Sequence, residues 1–220
     1  GVESVVLKKS ALSAGPMLPS PTNDTTVGAT LRHNVTVWSF ETVPDELSAE
    51  VIIVACFPSR VPEAFLHRAS HAALNVHPSW LPAYRGPVPL FWQMRDGIRN
   101  PGVTIHHLTS EIDSGDIVSQ RRVAIPEGTL GPEIDRLQSV AGNELLLDIL
   151  DTANFSAHPQ FGEVSYNSWP VDKDWHVPTD WPVRRAFNFM RGTAEWKHPF
   201  TLLTNPKPLA VRGATDYTLE

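Results

Sequence analysis

Apolar residues in the first half of the chain form short runs separated by polar segments, a pattern typical of strands. The run of residues 51–56 is unbroken and rich in β-branched side chains, as in a strand covered on both faces of a sheet. Similar patterns predict further strands at residues 3–7, 34–40, 103–108 and 117–125. Residues 10–26 are rich in Pro, Ser and Gly, which predicts a loop.

Helical periodicity appears between these strands. It predicts helices at residues 24–32, 62–72, 87–96, 130–150 and 182–191. In the longest of them, Thr129 is the expected N-cap. Its apolar stripe consists of Ile134, Leu137, Ala141, Leu145 and Ile149. The alternation of strands and helices predicts an α/β fold with a mostly parallel sheet and helices on both faces.

The composition changes near residue 158. Residues 158–182 are rich in Pro, Trp and Asp, and residues 200–203 and 209–212 have the pattern of a hairpin. We therefore expect a catalytic domain at residues 1–157, followed by a linker and a small C-terminal subdomain at 158–220.

Composition and charge exclude several classes of protein. No apolar run approaches the ~20 residues that span a bilayer, and no signal-peptide pattern is present, so we expect a cytoplasmic protein without membrane contact. The formal net charge is −6, and residues 10–26 contain no Lys or Arg, which disfavours a nucleic-acid partner. Cys56, the single cysteine, lies in an apolar run and is more easily explained as a core residue than as a nucleophile.

The most informative stretch is residues 75–86. In an extended backbone Asn75 and His77 point to the same face, and Pro78 favours that backbone for His77. An amide can bind a developing oxyanion, and an imidazole can transfer a proton near neutral pH. A lone His after a strand is more often structural. Three features favour catalysis at a carbonyl carbon instead: the spacing between Asn75 and His77, the turn residues Arg85-Gly86, and the acidic motif at residues 113–116.

These residues carry a resemblance to a known family. The segment 75–86 reads Asn-Val-His-Pro-Ser-Trp-Leu-Pro-Ala-Tyr-Arg-Gly and resembles the Asn-x-His-x-Ser-Leu-Leu-Pro-x-x-x-Gly signature of folate-dependent formyltransferases. Residues 102–106 (Gly-Val-Thr-Ile-His) and 113–117 (Asp-Ser-Gly-Asp-Ile) resemble two further family segments. Trp80 departs from the usual Leu. The similarity runs weakly from Val2 to Tyr217 and is most specific between residues 75 and 120.

The resemblance implies a Rossmann-like fold and a catalytic trio of Asn75, His77 and Asp113. Formyl transfer from 10-formyltetrahydrofolate to a primary amine would use Asn75 and protonated His77 to stabilise the oxyanion. Asp113 would raise the pKa of His77 and help collect the amine proton. No metal is required, and the adjacent His106 and His107 point to opposite strand faces, so one of them is expected to be a hydrogen-bonded core histidine.

The resemblance also implies binding residues. A slot for the folate pterin is expected between two segments, whose contact residues are Cys56, Phe57, Pro58, Arg60 and Val61 on one side and Ser110, Ile112 and Gly115 on the other. For Phe57, ordinary core packing is an equal alternative. Contacts to the acceptor are expected from Ser79, Tyr84, Arg85 and Pro87, with Arg85 as an anion contact.

The acceptor divides the hypotheses. We expect a small amine, such as a nucleotide-linked amino sugar, with methionyl-tRNA as the alternative. A member of another class, a degenerate protein that binds folate or a partner without catalysis, is the third hypothesis. A homodimer is possible.

By the resemblance, residues 5–8 correspond to the family's second strand. The family's first strand would then have no counterpart here, for which there are three explanations. The start of the sequence is misplaced or the chain is shortened, the strand is supplied from elsewhere, or the alignment with the family is wrong. We favour the first explanation.

Overall fold

The computed structural model describes residues 4–7, 35–57 and 59–218, together with residues 2 and 33. The loop expected at 10–26, the helix expected at 24–32 and the folate contact Pro58 lie outside the described residues. The described strands are β1 (Ser4–Leu7), β2 (Thr36–Ser39), β3 (Ala49–Ala55), β4 (Ala69–His77), β5 (Gly102–His107), β6 (Ile117–Arg122), β7 (His176–Val177), β8 (Phe200–Leu202) and β9 (Leu209–Val211). The described helices are α1 (Glu63–Leu66), α2 (Pro89–Arg95), α3 (Gly131–Thr152) and α4 (Val183–Gly192), with 3₁₀ turns at Asp172–Trp175 and Ala194–Trp196.

The strands form three sheets, and the α/β class is confirmed. β1 and β2 pair in parallel, and the four-stranded sheet has the order β3-β4-β5-β6. In the latter, only β3 and β4 are parallel, whereas β4, β5 and β6 are antiparallel neighbours. This sheet is thus mixed rather than mostly parallel. The nine residues between β5 and β6 are too few for the crossover that parallel neighbours require.

The helix expected at residues 62–72 is wrong. Only the short α1 forms, and the chain enters β4 at Ala69, where it pairs with β3 on one side and β5 on the other. The Ala-rich sequence suits a helix locally, but two ladders of backbone hydrogen bonds override that preference. Asn75 and His77 consequently belong to a regular strand, opposite His106 and Thr104 of β5.

Helix α3 packs across β5 and β6 through the predicted stripe. Ile134, Ala141, Leu145 and Ile149 are buried, as expected. A Cβ on Gly142 would lie 3.0 Å from both Val76 and Val103, which explains the small residue there. The expected Thr129 cap is wrong: the helix begins after Leu130, and the Thr129 hydroxyl donates a hydrogen bond to the Pro126 carbonyl.

The C-terminal part of the chain shares a core with the rest. Phe91 of α2, Phe189 of α4 and Phe200 of β8 are fully buried in one aromatic cluster with Trp175. The predicted hairpin is confirmed as the antiparallel pair β8 and β9. The division at residue 157 stays a prediction, although side chains from both parts occupy the same core.

None of the described helices has the length and apolar character of a membrane span.

Candidate active site

Two neighbouring segments bring the three predicted catalytic residues together. Asn75 and His77 project from the end of β4, and Asp113 comes from the loop that joins β5 to β6. The Asn75 amide donates to Asp113 Oδ1 over 3.3 Å, and His77 Nδ1 lies 3.6 Å from Asp113 Oδ2. The residues are 38 and 36 positions apart in sequence, so only the folded chain creates this cluster.

The surroundings of His77 determine where its proton lies. Its ring is only 4% exposed, and Nε2 lies 2.9 Å from the Tyr84 carbonyl oxygen. A carbonyl is solely an acceptor, so Nε2 carries the hydrogen in the neutral ring and Nδ1 has a free lone pair. That lone pair faces the Asp113 carboxylate, and the pair therefore has room for one additional proton.

Asp113 occupies a strained position that other groups stabilise. Its φ is +52°, in the left-handed region that non-glycine residues rarely adopt. The backbone N–H of Gly86 donates to Oδ2 over 2.8 Å, and His106 Nε2 lies 3.7 Å from Oδ1. The carboxylate is therefore held between the end of β4, the turn at Gly86 and β5.

His106 is a contributor that the sequence reasoning did not assign to the site. Its Nδ1 lies 2.8 Å from the His107 carbonyl and must carry hydrogen in the neutral ring, so Nε2 can accept from the Asn75 amide at 3.1 Å. His106 is buried and hydrogen-bonded, as expected for one of the two adjacent histidines. The sequence does not show that His106 lies opposite Asn75 in the neighbouring strand, because strand pairing is a tertiary property.

Burial changes the expected protonation. It lowers the pKa of His77, and the Asp113 charge opposes this shift without reversing it. Asp113 thus acts on the pKa of His77 in the expected direction, but burial has the larger effect and the net direction is downward. Burial by itself would raise the pKa of Asp113, but the Gly86 N–H and the neighbouring His106 and His77 rings, which favour the carboxylate when they are protonated, hold it below its usual range. At pH 7 the pair consists of a neutral imidazole and a carboxylate.

These directions predict the titration of His77. We expect its imidazole to titrate below pH 6.5 in the wild type. In Asp113→Asn the pKa should fall further, because the charge that favours the imidazolium is removed. NMR of the ring ¹³Cε1–H signals measures both values, with His77→Gln to assign the resonance. Asp116→Asn is the matched control, and a His77 pKa above 6.5 or an unchanged value in Asp113→Asn would contradict the prediction.

The residues expected at the acceptor side surround the same turn. The Ser79 hydroxyl is buried and donates to the Ala83 carbonyl, and the Tyr84 hydroxyl donates to Asp96. Burial raises the pKa of Tyr84, assisted by the charge of Asp96. Arg85 donates from Nη2 to Gln160, its buried Nε has no hydrogen-bond partner among the described residues, and Pro87 is exposed. Their proposed contacts with an acceptor stay predictions.

The first set of expected folate contacts follows β3. The expectation of Cys56 as a core residue is wrong, because its side chain is exposed just after the end of β3, where the backbone turns with a φ of +51°. The ring of Phe57 lies 5.3 Å from that of Phe40. Arg60 is exposed and Val61 is half-buried.

The second set lies in the loop that carries Asp113. Ser110 lines an open pocket of about 230 Å³ beside α1 and β4, and the Ile112 side chain is 41% exposed. A Cβ on Gly115 would lie 1.9 Å from the His107 carbonyl oxygen, so only glycine fits. Within the described part of the chain, no cluster of His, Cys, Asp and Glu has the arrangement of a metal site.

Comparison with known proteins agrees with this fold. Residues 34–148 match the family model described as "Formyl transferase". A methionyl-tRNA formyltransferase from Listeria monocytogenes is 34% identical over 175 residues, which are 77% of this chain and 55% of the relative. The chain therefore spans about half the length of the curated relatives that it matches.

Solved structures share the fold. A 4-N formyltransferase from Francisella tularensis superposes with a TM-score of 0.65 and 17% identity over 97% of this chain and 98% of that one. A formyltransferase from Anoxybacillus kamchatkensis, in complex with UDP-4,6-dideoxy-4-formamido-L-AltNAc and tetrahydrofolate, gives a TM-score of 0.52 and 22% identity over 75% and 85% of the two chains. With more than half of its residues covered by the family model, this chain belongs to the formyl transferase family.

Proposed function

We propose that the protein transfers a formyl group from 10-formyltetrahydrofolate to a primary amine. The observation that carries this proposal is the convergence of Asn75, His77 and Asp113 at one point of a formyl transferase domain. A pure binding protein has no use for an amide donor and a coupled imidazole and carboxylate at the same place.

The co-substrate supplies the formyl carbon: a bond forms from the amine nitrogen to this carbon, the bond to the folate nitrogen breaks, the amine loses a proton and the folate nitrogen gains one. The Asn75 amide has two hydrogens. The one that contacts Asp113 over 3.3 Å can be donated to the developing oxyanion instead, while the other stays hydrogen-bonded to His106. Asp113 and His77 accept the amine proton between Oδ2 and Nδ1, directly or through a water.

The proton-accepting role has a pH consequence. The pair accepts a proton only while His77 is neutral, so turnover should decline as pH falls below the lowered pKa of His77.

The exposed Ile112 side chain lies one residue from Asp113 and offers an apolar surface for a flat ring beside the reacting group. The residues present therefore fit a folate co-substrate.

For the acceptor, we propose a small amine such as a nucleotide-linked amino sugar. The net charge of −6 supports it over a polyanionic tRNA. The Anoxybacillus formyltransferase, which has a similar fold, is in complex with a UDP-linked formamido sugar, and this also supports such an acceptor. Methionyl-tRNA is the second candidate, since the curated relatives at 34% identity carry that name. A cytoplasmic location and a homodimer stay predictions.

A direct assay distinguishes these readings. Tetrahydrofolate release would be followed at pH 7.5 with a panel of nucleotide-linked amino sugars and with methionyl-tRNA, using His77→Gln as the inactive control. We expect release with an amino sugar and none above the control with methionyl-tRNA. Release with methionyl-tRNA but with none of the amino sugars would identify methionyl-tRNA as the acceptor and contradict the proposed amino sugar. Tight folate binding with no release for any acceptor would favour a degenerate binding protein and overturn the proposal.

A further inference from the structure

The segment of residues 158–168 lies across both loops that form the candidate active site. At one end, His158 exchanges two backbone hydrogen bonds with Ile117, which directly follows the Asp113 loop. At the other end, the Arg85 N–H donates to the Ser165 carbonyl and the Asn167 N–H donates to the Arg85 carbonyl. The sequence predicted only a linker here, but its backbone is tied to both sides of the site.

Gln160 makes the central contact between the two loops. Its Nε2 donates to the carbonyls of Asp113 and Gly115, each over 2.8 Å, and its Oε1 accepts from Arg85 Nη2 over 2.7 Å. Two carbonyl acceptors and one guanidinium donor leave a single orientation for the amide. A side chain without donors could not replace it.

Gln160 contacts the Asp113 loop at the point where the loop backbone is strained. Asp113 has a φ of +52°, a left-handed conformation that carries a conformational cost for a residue with a side chain. The hydrogen bonds from Gln160 reach the carbonyls on both sides of Ser114, within the turn that sets this conformation. Gln160 thereby stabilises the backbone that aims the Asp113 carboxylate at His77.

Ser165 supports the other half of the site in the same way. Tyr84 also has a positive φ, +61°, and its backbone N–H donates to the Ser165 hydroxyl oxygen over 2.8 Å. The Tyr84 carbonyl in turn accepts the hydrogen of His77 Nε2. Ser165 is therefore one hydrogen bond removed from the atom that sets the tautomer of His77.

We propose that the 158–168 segment positions the catalytic pair, Gln160 by holding the Asp113 loop and Ser165 by holding the Tyr84 carbonyl against His77. Neither side chain touches the pair's reacting atoms, so both are positioning residues. The inference rests on the proposed formyl transfer for its kinetic consequence and on the geometry alone for its effect on His77.

The test compares Gln160→Met, Gln160→Glu and Ser165→Ala with the wild type in the full chain. Gln160→Glu preserves size and the contact with Arg85 but loses both donated hydrogen bonds. Ser168→Ala is the matched control, because among the residues that the structure describes its exposed hydroxyl hydrogen-bonds only to the neighbouring carbonyl of Trp169. Displaced reacting groups lower rates by about tenfold to a hundredfold, so we expect that loss in kcat for all three variants. KM should change less than threefold in Gln160→Glu and Ser165→Ala, which keep the side-chain partner of Arg85.

An NMR titration of His77 supplies the readout that does not depend on turnover. The charge of Asp113 and the hydrogen bond to Tyr84 both raise the pKa of His77. Loosening either partner should therefore lower the His77 pKa below the wild-type value, whereas Ser168→Ala should leave it unchanged. If the wild type releases no tetrahydrofolate with any acceptor, the proposed function fails while this titration still decides the positioning role. Unchanged kcat and unchanged titration in the Gln160 and Ser165 variants, even with a lower melting temperature, would overturn it.

Discussion

Asp113→Asn is expected to lower kcat/KM for formyl transfer by about two orders of magnitude or more. The substitution keeps the size of the side chain and an oxygen that can accept from the Gly86 N–H. It removes the negative charge that faces His77 Nδ1 at 3.6 Å, and with it the place where the amine proton is received. Binding of folate should change much less than turnover, because the lost interaction develops as the proton leaves the amine.

The control for this experiment lies three residues further along the chain. Asp116 is exposed, and Asp116→Asn makes the same chemical change outside the cluster, so its kcat/KM should stay within about twofold of the wild type. Steady-state tetrahydrofolate release gives the rates, and circular dichroism establishes that both variants are folded. Near-normal turnover in Asp113→Asn would remove the carboxylate from the chemistry.

Phe189→Ala is expected to lower the free energy of unfolding by about 3–5 kcal/mol. Phe189 is fully buried, and its ring centroid lies 5.4 Å from those of both Phe91 and Phe200. Truncation leaves a cavity where α2, α4 and β8 meet, so the loss combines apolar transfer with the contacts across that space. Urea unfolding followed by tryptophan fluorescence measures the change.

Phe161→Ala is the matched control, because this side chain is 79% exposed and the free energy of unfolding should change by less than about 0.5 kcal/mol. The shared aromatic core also predicts that residues before and after position 158 unfold in one transition. Two separate transitions, with Phe189→Ala affecting only one, would show that the C-terminal part folds independently.

Local pattern was sufficient for many features of this protein. The buried stripe of α3 follows from helical periodicity, and the α/β class follows from alternating strands and helices. The spacing of Asn75 and His77 placed both side chains on one face, since side chains in any extended backbone alternate with a period of two. Such features depend on neighbours within a few residues, which a sequence displays directly.

The segment before Asn75 shows where local pattern fails. Residues 69–74 have the composition of a helix but form the first part of β4, because β3 and β5 offer backbone partners on both sides. The antiparallel pairing of β4 with β5 was missed for a related reason, because it depends on which sheet edge is free once the chain has folded. The antiparallel pairing of β5 with β6 could have been predicted, since nine residues are too few for a parallel crossover.

The sequence by itself determined which residue types could perform formyl transfer, because an amide, an imidazole and a carboxylate can be recognised from their motifs. The tertiary structure alone decided that His106 holds Asn75, that Gln160 and Ser165 contact the loops of Asp113 and Tyr84, and that burial lowers the pKa of His77. The reason is physical. Hydrogen bonds between residues tens of positions apart and the loss of solvent around a buried ring exist only after the chain has folded.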